Sequence, residues 1–147
     1  MKLKLAKDFG GADEVIDLKK YQNPEKIFID FSNEHKGLDV AIECVGLPEI
    51  WERMFTFVRK GGKVHLFGGC PSGTKFSIDT KSLHYDGIQV LSVFHHTPKY
   101  FREALNLIYS GDVDVEQLIT KRMPLKETEK ALLLQASGEA IKVLLTP

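Results

Sequence analysis

Short apolar runs alternate along this chain with longer segments in which apolar positions recur every three or four residues. Residues 37–46, GLDVAIECVG, are a run of the first kind, and a period of two predicts a strand over 38–45. One face of this strand carries Leu38, Val40, Ile42 and Cys44, and the other carries Asp39, Ala41, Glu43 and Val45. Residues 48–58 are of the second kind, because Trp51, Met54, Phe55 and Val58 share one helical face.

The same two patterns recur from end to end. Strands are predicted over 12–17, 38–45, 63–67, 88–94 and 141–145, and helices over 1–9, 24–36, 48–60, 81–84, 98–110 and 126–137. Asn-Pro, Leu-Pro or Thr-Pro begins three of the helices, and a glycine follows several helix ends. Residues 112–125 carry no clear pattern. Strands that alternate with helices predict an α/β fold, a doubly wound parallel sheet with helices on both faces.

Composition limits the classes of function. A chain of 147 residues fits one domain, and 43% hydrophobic with 27% charged residues is ordinary for a globular protein. Twenty basic residues balance twenty acidic ones, which argues against a nucleic-acid or membrane-surface partner. No apolar stretch approaches the roughly 18 residues of a membrane span, and the N-terminus lacks the apolar core of a signal peptide. Two cysteines without a CxxC pair favour a reducing, cytoplasmic setting.

Candidate chemistry concentrates where strands end, because ligands of doubly wound sheets bind outside the carboxyl ends of the strands. The predicted ends are 44–46, 67–69 and 94–96, and two of them contain glycine. Glycine there either serves the turn or lets a flat ligand approach the backbone, and spacing alone does not separate these readings.

Cys44 has four interpretations: a nucleophile, a metal ligand, a small core residue or a marker of a ligand-binding edge. A nearby helix N-terminus at Pro48 would favour a nucleophile. The shared face with Val40 and Ile42 instead predicts that Cys44 packs inward. His95 and His96 point to opposite sides of an extended segment, so they do not predict a shared metal ion. No catalytic residue and no metal ligand is therefore assigned, and a GxGxxG fingerprint is absent from the sequence.

Five segments in order resemble the C-terminal part of the cofactor-binding domain of zinc-dependent medium-chain alcohol and polyol dehydrogenases. They are AKDFGGADEVID, GLDVAIECVG, VRKGGKVHLFGGCPSG, VLSVFHHTP and GEAIKVLLTP, and the resemblance is nearest to the sorbitol and threonine dehydrogenase branch. It covers essentially the whole chain, although FGGADE has one more glycine than the family's usual FGADE. The resemblance implies a partial Rossmann-like domain that binds NAD(P).

Site residues follow from the resemblance alone. It implies that Val45, Gly46 and Leu47 border the adenosine, that Phe67 and Gly68 lie along the nicotinamide ribose, and that Ser92 and Phe94 meet the carboxamide through backbone groups. It also implies that Lys142 reaches the pyrophosphate as a point charge. The alternative for Lys142 is a solvated charge on a strand.

The resemblance also implies what this sequence does not contain. Residues 1–147 would form a single, truncated NAD(P)-binding domain without its first two strands, its glycine fingerprint and the N-terminal domain that holds zinc. We therefore expect weak cofactor binding, because a helix N-terminus would be missing at the pyrophosphate. We also expect no zinc ligands and no hydride transfer by this chain alone.

The sheet order of the family would leave the strand 38–45 with a bare edge and the strand 88–94 at the other edge. A bare edge recruits a partner strand. Either residues 12–17 pair there or another chain does, and we expect a homodimer or higher oligomer. The competing functions are a non-catalytic module for assembly with weak or no nucleotide binding and, less compatible with the sequence, another Rossmann-like enzyme such as a methyltransferase.

Overall fold

The computed structural model describes the backbone of residues 1–147 and every side chain except those of Pro24 and Glu25. The helices are α1 (Lys2–Asp8), α2 (Pro24–Phe31), α3 (Pro48–Phe57), α4 (Thr80–His84), α5 (Pro98–Ser110) and α6 (Thr128–Ala136). The strands are β1 (Leu38–Glu43), β2 (Val58–Leu66), β3 (Gln89–Ser92), β4 (Ile119–Pro124) and β5 (Lys142–Thr146). Short 3₁₀ turns occur at Leu18–Lys20, Asn33–His35, Glu116–Leu118 and Leu125–Glu127.

The chain forms two compact units. One is Leu18–His95, and the other combines Met1–Asp17 with His96–Pro147. Each unit contains parallel strands together with helices, so the predicted α/β class with parallel strands is confirmed. Among the described residues, none of the helices combines the length and the apolar character needed to cross a bilayer.

The Leu18–His95 unit is built on a three-stranded parallel sheet in the order β1-β2-β3. Helix α3 follows β1 and packs on one face of this sheet. Its core consists of Ala41, Met54, Phe55, Phe57, Val58, Val64, Leu66 and Ile88. Val64, at the centre of the middle strand, has no exposed surface. As predicted, β3 is an edge strand of this sheet.

The predicted alternation of β1 holds from Val40 to Glu43, but the prediction of which face is buried was wrong there. It fails at Leu38, which packs against the core although it was assigned to the face of Val40, because the pairing with β2 shifts register between these two residues. Ala41 and Glu43 are buried, whereas Val40 and Ile42 are 51% and 60% exposed. Cys44 shares the exposed side, so the prediction that it packs inward is also wrong. The physical reason is the position of α3, which covers the face of Ala41 rather than the face of Val40. Alternation fixes which residues share a face but not which face is covered.

Residues 12–17 do not form the predicted strand, and the backbone there is irregular. An isolated extended segment has no neighbour for its backbone donors and acceptors, so apolar character alone does not make it a strand. The ladders of the described strands pair β1 with β2 only, so residues 12–17 do not close the edge of β1. Residues 61 and 62, predicted to end a helix, instead lie within β2.

Asp86 connects α4 to the sheet of the same unit. Its carboxylate accepts a hydrogen bond from Lys81 Nζ at 2.5 Å and lies 3.3 Å from Lys60 Nζ. Its backbone oxygen accepts the Gly61 N–H at 2.7 Å. The hydrogen bond from Lys81, followed by the nearby ammonium of Lys60, holds the pKa of Asp86 below its usual value despite partial burial. This carboxylate therefore stabilises the loop before β3 in its charged form.

The second unit contains a two-stranded parallel sheet of β4 and β5, against which α6 packs. Strand β4 lies in the segment that carried no predicted pattern, and β5 pairs with it rather than with the three-stranded sheet. The ends of α5 agree with prediction, because Pro98 is its first residue and Gly111 follows it at φ 80°. The predicted helix over 126–137 is α6, preceded by one 3₁₀ turn.

Candidate functional site

Three parallel strands of the Leu18–His95 unit end side by side. Glu43 at the end of β1 is paired in register with Leu66 of β2, and Leu66 is paired with Ser92 of β3. The segments that follow, residues 44–47, 67–69 and 93–94, therefore leave the sheet along one carboxyl edge. This is the edge at which ligands bind in open α/β sheets. We call these segments the carboxyl edge.

Glu43 organises the carboxyl edge through its side chain. Its carboxylate is 2% exposed and accepts hydrogen bonds from the Val45 N–H at 2.5 Å and the Gly46 N–H at 2.9 Å. The other oxygen accepts from Trp51 Nε1 at 2.9 Å. A buried carboxylate costs free energy unless such donors satisfy it. The turn after β1 is thereby folded back over the end of its own strand.

The backbone of Glu43 joins the turn after β1 to the turn after β2. Its carbonyl oxygen accepts the N–H groups of Phe67 at 3.0 Å and Gly68 at 2.8 Å. Trp51 Nε1 also reaches the Gly68 carbonyl at 3.1 Å, and the Trp51 ring meets Phe76 edge-on at 5.2 Å between centroids. Sequence reasoning missed this role of Glu43. The available signal was an acidic side chain on the same face of a short apolar strand as Ala41.

Two glycines allow the turns to touch. A Cβ on Gly68 would lie 2.5 Å from the Gly46 nitrogen and 2.8 Å from the Val45 nitrogen. A Cβ on Gly46 would overlap the Gly69 carbonyl oxygen, and Gly46 also has φ 81°. Both positions therefore need glycine for backbone packing. Gly69 is different, because a Cβ there would meet nothing within 4 Å.

The sequence-predicted residues of this unit lie along the carboxyl edge. Val45 is 67% exposed, Phe94 is 86% exposed, and Leu47 and Phe67 are also exposed. Gly46 is buried and Gly68 is half-buried between the turns. Ser92 ends the edge strand β3 and is exposed. The carboxyl edge thus presents apolar side chains outward over a tightly packed backbone.

Lys142 belongs to the other unit, where it begins β5. Its side chain is exposed, and its backbone oxygen accepts a hydrogen bond from the Thr120 hydroxyl, Oγ1, at 3.5 Å. It is paired in register with Ile119 of β4. An exposed ammonium is compatible with both interpretations of this residue, a phosphate contact and a solvated charge.

The cysteines differ in environment. Cys44 is exposed at the end of β1, and Cys70 lies after the turn of β2 with partial exposure. Burial raises the pKa of the Cys70 thiol above its usual value, and the charges of Glu43 and Glu49 raise it further. A raised pKa keeps Cys70 in the thiol form, which opposes a role as nucleophile.

The described side chains show no cluster of metal ligands. Among the side chains that the structure describes, no three of the types His, Cys, Asp or Glu lie close enough together to hold a metal ion. The described residues therefore do not fit a zinc centre of the tetrahedral kind that such side chains form.

Comparison with known proteins identifies the family. Residues 1–110 match the family model of zinc-binding dehydrogenases, which is about three quarters of the chain. The chain belongs to the zinc-binding dehydrogenase family. The resemblance proposed from the five sequence segments is thereby confirmed.

Individual members of the zinc-binding dehydrogenase family align with nearly all of this chain or most of it. Over the full length of this chain, 28% of the residues are identical to those of sorbitol dehydrogenase of Bacillus subtilis. Over 75% of this chain, 30% are identical to those of L-threonine 3-dehydrogenase of Chromobacterium violaceum. A solved zinc-binding dehydrogenase of Sinorhizobium meliloti, bound to NADP, superposes on 99% of the chain with a TM-score of 0.87 and 28% identity. These relatives confirm the sorbitol and threonine dehydrogenase branch.

The match extends over only part of each relative. The chain spans 41% of the sorbitol dehydrogenase, 32% of the threonine dehydrogenase and 42% of the solved structure. It corresponds to less than half of these proteins.

Proposed function

We propose that this chain is the nicotinamide-cofactor-binding portion of a zinc-dependent alcohol or polyol dehydrogenase. The observation that carries the proposal is the carboxyl edge, where three parallel strands end together beneath exposed apolar side chains. Membership of the zinc-binding dehydrogenase family and the NADP bound in one structural relative support it. The substrate class is proposed from relatives that are a sorbitol dehydrogenase and an L-threonine 3-dehydrogenase.

The carboxyl edge fits the uncharged parts of a dinucleotide. Val45, Leu47 and Phe67 offer exposed apolar surface to an aromatic ring or a ribose. The backbone N–H groups of Val45 and Gly46 are already bonded to Glu43, so they are not available to phosphate oxygens. We propose that Val45, Gly46 and Leu47 contact the adenosine, that Phe67 and Gly68 contact the nicotinamide ribose, and that Ser92 and Phe94 contact the nicotinamide.

The pyrophosphate requires positive charge or free donors elsewhere. We propose Lys142 for this role, because a lysine serves as a point charge on phosphate. When bound, the cofactor would supply a nicotinamide ring that accepts or returns a hydride. The residues of this chain would bind and orient that ring.

Trp51 provides a direct test, because it is the only tryptophan of the chain and donates to Glu43 beneath the carboxyl edge. Indole emission overlaps the absorption of reduced nicotinamide, so NADPH bound at this edge would quench Trp51 and emit itself. We expect a saturable signal that NADP competes away. The absence of saturable energy transfer from Trp51 to NADPH at millimolar NADPH would overturn the proposal.

Two alanine variants of the same unit separate the carboxyl edge from the general surface. Phe67→Ala removes an exposed aromatic ring from the edge and is expected to weaken NADPH binding several-fold. Tyr85→Ala removes an exposed ring that contacts His84 after α4, away from the strand ends, and should leave the affinity unchanged. Lys142→Ala should weaken NADPH binding more at low salt than at high salt, because at high salt the ions already screen the attraction between the Lys142 ammonium and phosphate. Equal effects of Phe67→Ala and Tyr85→Ala would contradict the assignment.

The expectations of weak binding and of no turnover by this chain alone stay predictions. They are checked by the dissociation constant from the NADPH titration and by NADP reduction with sorbitol or threonine as the alcohol. A turnover that survives repeated purification and scales with protein concentration would contradict the second expectation.

A second candidate function, an assembly module, is favoured by the surface of β1. Among the described strands β1 has a partner on one side only, and Val40, Ile42 and Leu91 expose apolar surface on one face of the sheet. Such edges and faces recruit other chains. We propose that the chain forms a homodimer or higher oligomer through the exposed edges of this sheet, β1 and β3, and the apolar face beside them.

Sedimentation equilibrium tests the oligomer. Val40→Lys places a charge on the exposed sheet face and should raise the dimer dissociation constant at least tenfold. Gln22→Lys adds the same charge in an exposed loop and should have no effect. A monomeric wild-type protein at micromolar concentration would overturn the assembly proposal. It would leave the cofactor proposal intact.

A further inference from the structure

Glu43 is a buried charged side chain within an apolar strand, and its contacts suggest a function beyond folding. It is 2% exposed, yet strand β1 around it consists mainly of apolar residues. Burial of a carboxylate is costly unless donors surround it, and three donors do so here. None of the three belongs to a neighbouring strand, because all come from the turn after β1 and from α3.

The donors are matched to an acceptor with no hydrogen of its own. An ionised carboxylate only accepts, so its two oxygens can serve the N–H groups of Val45 and Gly46 on one side and Trp51 Nε1 on the other. A neutral amide of the same shape would have to point its NH₂ group at one set of these donors. The arrangement therefore selects a carboxylate rather than any polar side chain of this size.

We propose that Glu43 is a positioning residue for the cofactor: it clamps the turn of residues 45–47 against the turn of residues 67–69, and so shapes the carboxyl edge. This inference rests on the proposed function. The clamp consists of the side-chain bonds to the first turn and the carbonyl bonds to Phe67 and Gly68 of the second turn. It touches no cofactor atom itself and acts through the backbone that it holds.

The clamp also selects the kind of group that the first turn can receive. The N–H groups of Val45 and Gly46 point inward to Glu43, and the negative charge behind them disfavours an anion. What remains outward is the side chains of Val45 and Leu47. The turn is therefore shaped for an uncharged ring or sugar and is not an anion cradle.

Glu43→Gln tests the positioning role, with Val64→Ala as the matched control. We expect Glu43→Gln to weaken NADPH affinity at least tenfold and to shift the emission of Trp51, which loses its charged acceptor. Val64→Ala opens a cavity in the middle of the same sheet and leaves every hydrogen bond of Glu43 in place. It should lower the urea midpoint and leave the NADPH affinity unchanged. If the two variants change NADPH affinity in proportion to their loss of stability, the positioning role is overturned.

Amide hydrogen exchange of the wild-type protein tests the clamp without any variant. Val45 is 67% exposed, so its amide should exchange rapidly unless the bond to Glu43 persists. We expect the amides of Val45 and Gly46 to be protected at least a hundredfold and the amide of Gly69 to exchange rapidly. Unprotected Val45 and Gly46 amides would overturn the clamp.

The two proposals fail in different ways. If the wild type binds no NADPH, the proposed function and the positioning role are both overturned, although protected amides would still establish the clamp as structural. If the wild type binds NADPH and Glu43→Gln binds equally well, only the positioning role is overturned.

Discussion

Alanine substitutions at four glycines of the Leu18–His95 unit should separate the cost of backbone conformation from the cost of crowding. Gly69 has neither problem, because its φ is not positive and a Cβ would meet open space. Gly73 has φ 83° but also faces open space. Gly68 has crowding without a positive φ, and Gly46 has both. The four positions thus form a two-by-two comparison within one unit.

The expected free energies of unfolding follow from these two terms. Gly69→Ala should stabilise by about 0.5 kcal/mol, because alanine reduces the entropy of the unfolded chain. Gly73→Ala should cost about 1 kcal/mol, since the left-handed conformation costs an L-residue about 1–2 kcal/mol and the entropy gain offsets part of it. Gly68→Ala should cost about 2–4 kcal/mol, because overpacking costs about 1–3 kcal/mol and bonds to Glu43 are strained as the turns separate.

Gly46→Ala should be the most damaging, at about 3–5 kcal/mol, because the conformational and the steric terms act together. Natural domains have about 5–15 kcal/mol of stability, so this variant remains measurable but is close to the limit. Urea unfolding followed by Trp51 fluorescence reports on the Leu18–His95 unit, since Trp51 lies in that unit and is the only tryptophan in the sequence. The slope with urea should stay constant while the midpoint moves. If Gly68→Ala is as stable as Gly69→Ala, the close packing of the two turns is refuted.

Three further predictions concern side chains of the same unit. In a Cys44→Ser background, the rate at which Cys70 reacts with iodoacetamide should rise with pH with an apparent pKa above the usual value of about 8.5. Glu43→Gln should lower that pKa, because it removes a nearby negative charge. An apparent pKa at the usual value would contradict the local burial and negative charge. Because the pKa of Asp86 is lowered by folding, its charged form stabilises the protein above the unfolded pKa of about 3.9, and this contribution is lost as pH falls through the folded value. The urea midpoint of Asp86→Asn should therefore lie below that of the wild type by equal amounts at pH 7 and pH 6, and the gap should close below about pH 4; a gap that persists at low pH would contradict the sign. Trp51→Phe should cost about 1–3 kcal/mol, measured by circular dichroism in urea, because Glu43 loses one donor; a cost below 0.5 kcal/mol would show that this bond contributes little.

Features that depend on neighbours in sequence were predicted well. The starts of α3 and α5 follow from proline at the first helical position, and the end of α5 follows from Gly111. These signals are local, because a proline or a terminal glycine acts on the backbone within one turn. The alternation of β1 from Val40 to Glu43 was also predictable, since alternation is a property of the strand itself, whereas the register shift between Leu38 and Val40 was not.

Features that depend on a distant partner were not predictable in the same way. Residues 12–17 have the composition of a strand but no ladder partner among the described strands. Residues 119–124 lack a strong apolar pattern, yet they form β4 because β5 pairs with them. The buried face of β1 depends on where α3 packs, which the strand does not encode. Each of these errors concerns pairing or covering by a segment elsewhere in the chain.

Glu43 lies between these two classes, and it determines how the candidate site is interpreted. Its position on the face of Ala41 is a local property, but its burial depends on α3. Once that face is known to be covered, a carboxylate there must find donors, and the nearest unpaired N–H groups are those of the turn that follows the strand. The glycines then acquire a definite role, because Gly46 and Gly68 let the two turns close around this carboxylate. The buried charge of Glu43 therefore leaves the apolar side chains of the carboxyl edge to face a ligand, since the N–H groups of Val45 and Gly46 are turned inward to its carboxylate.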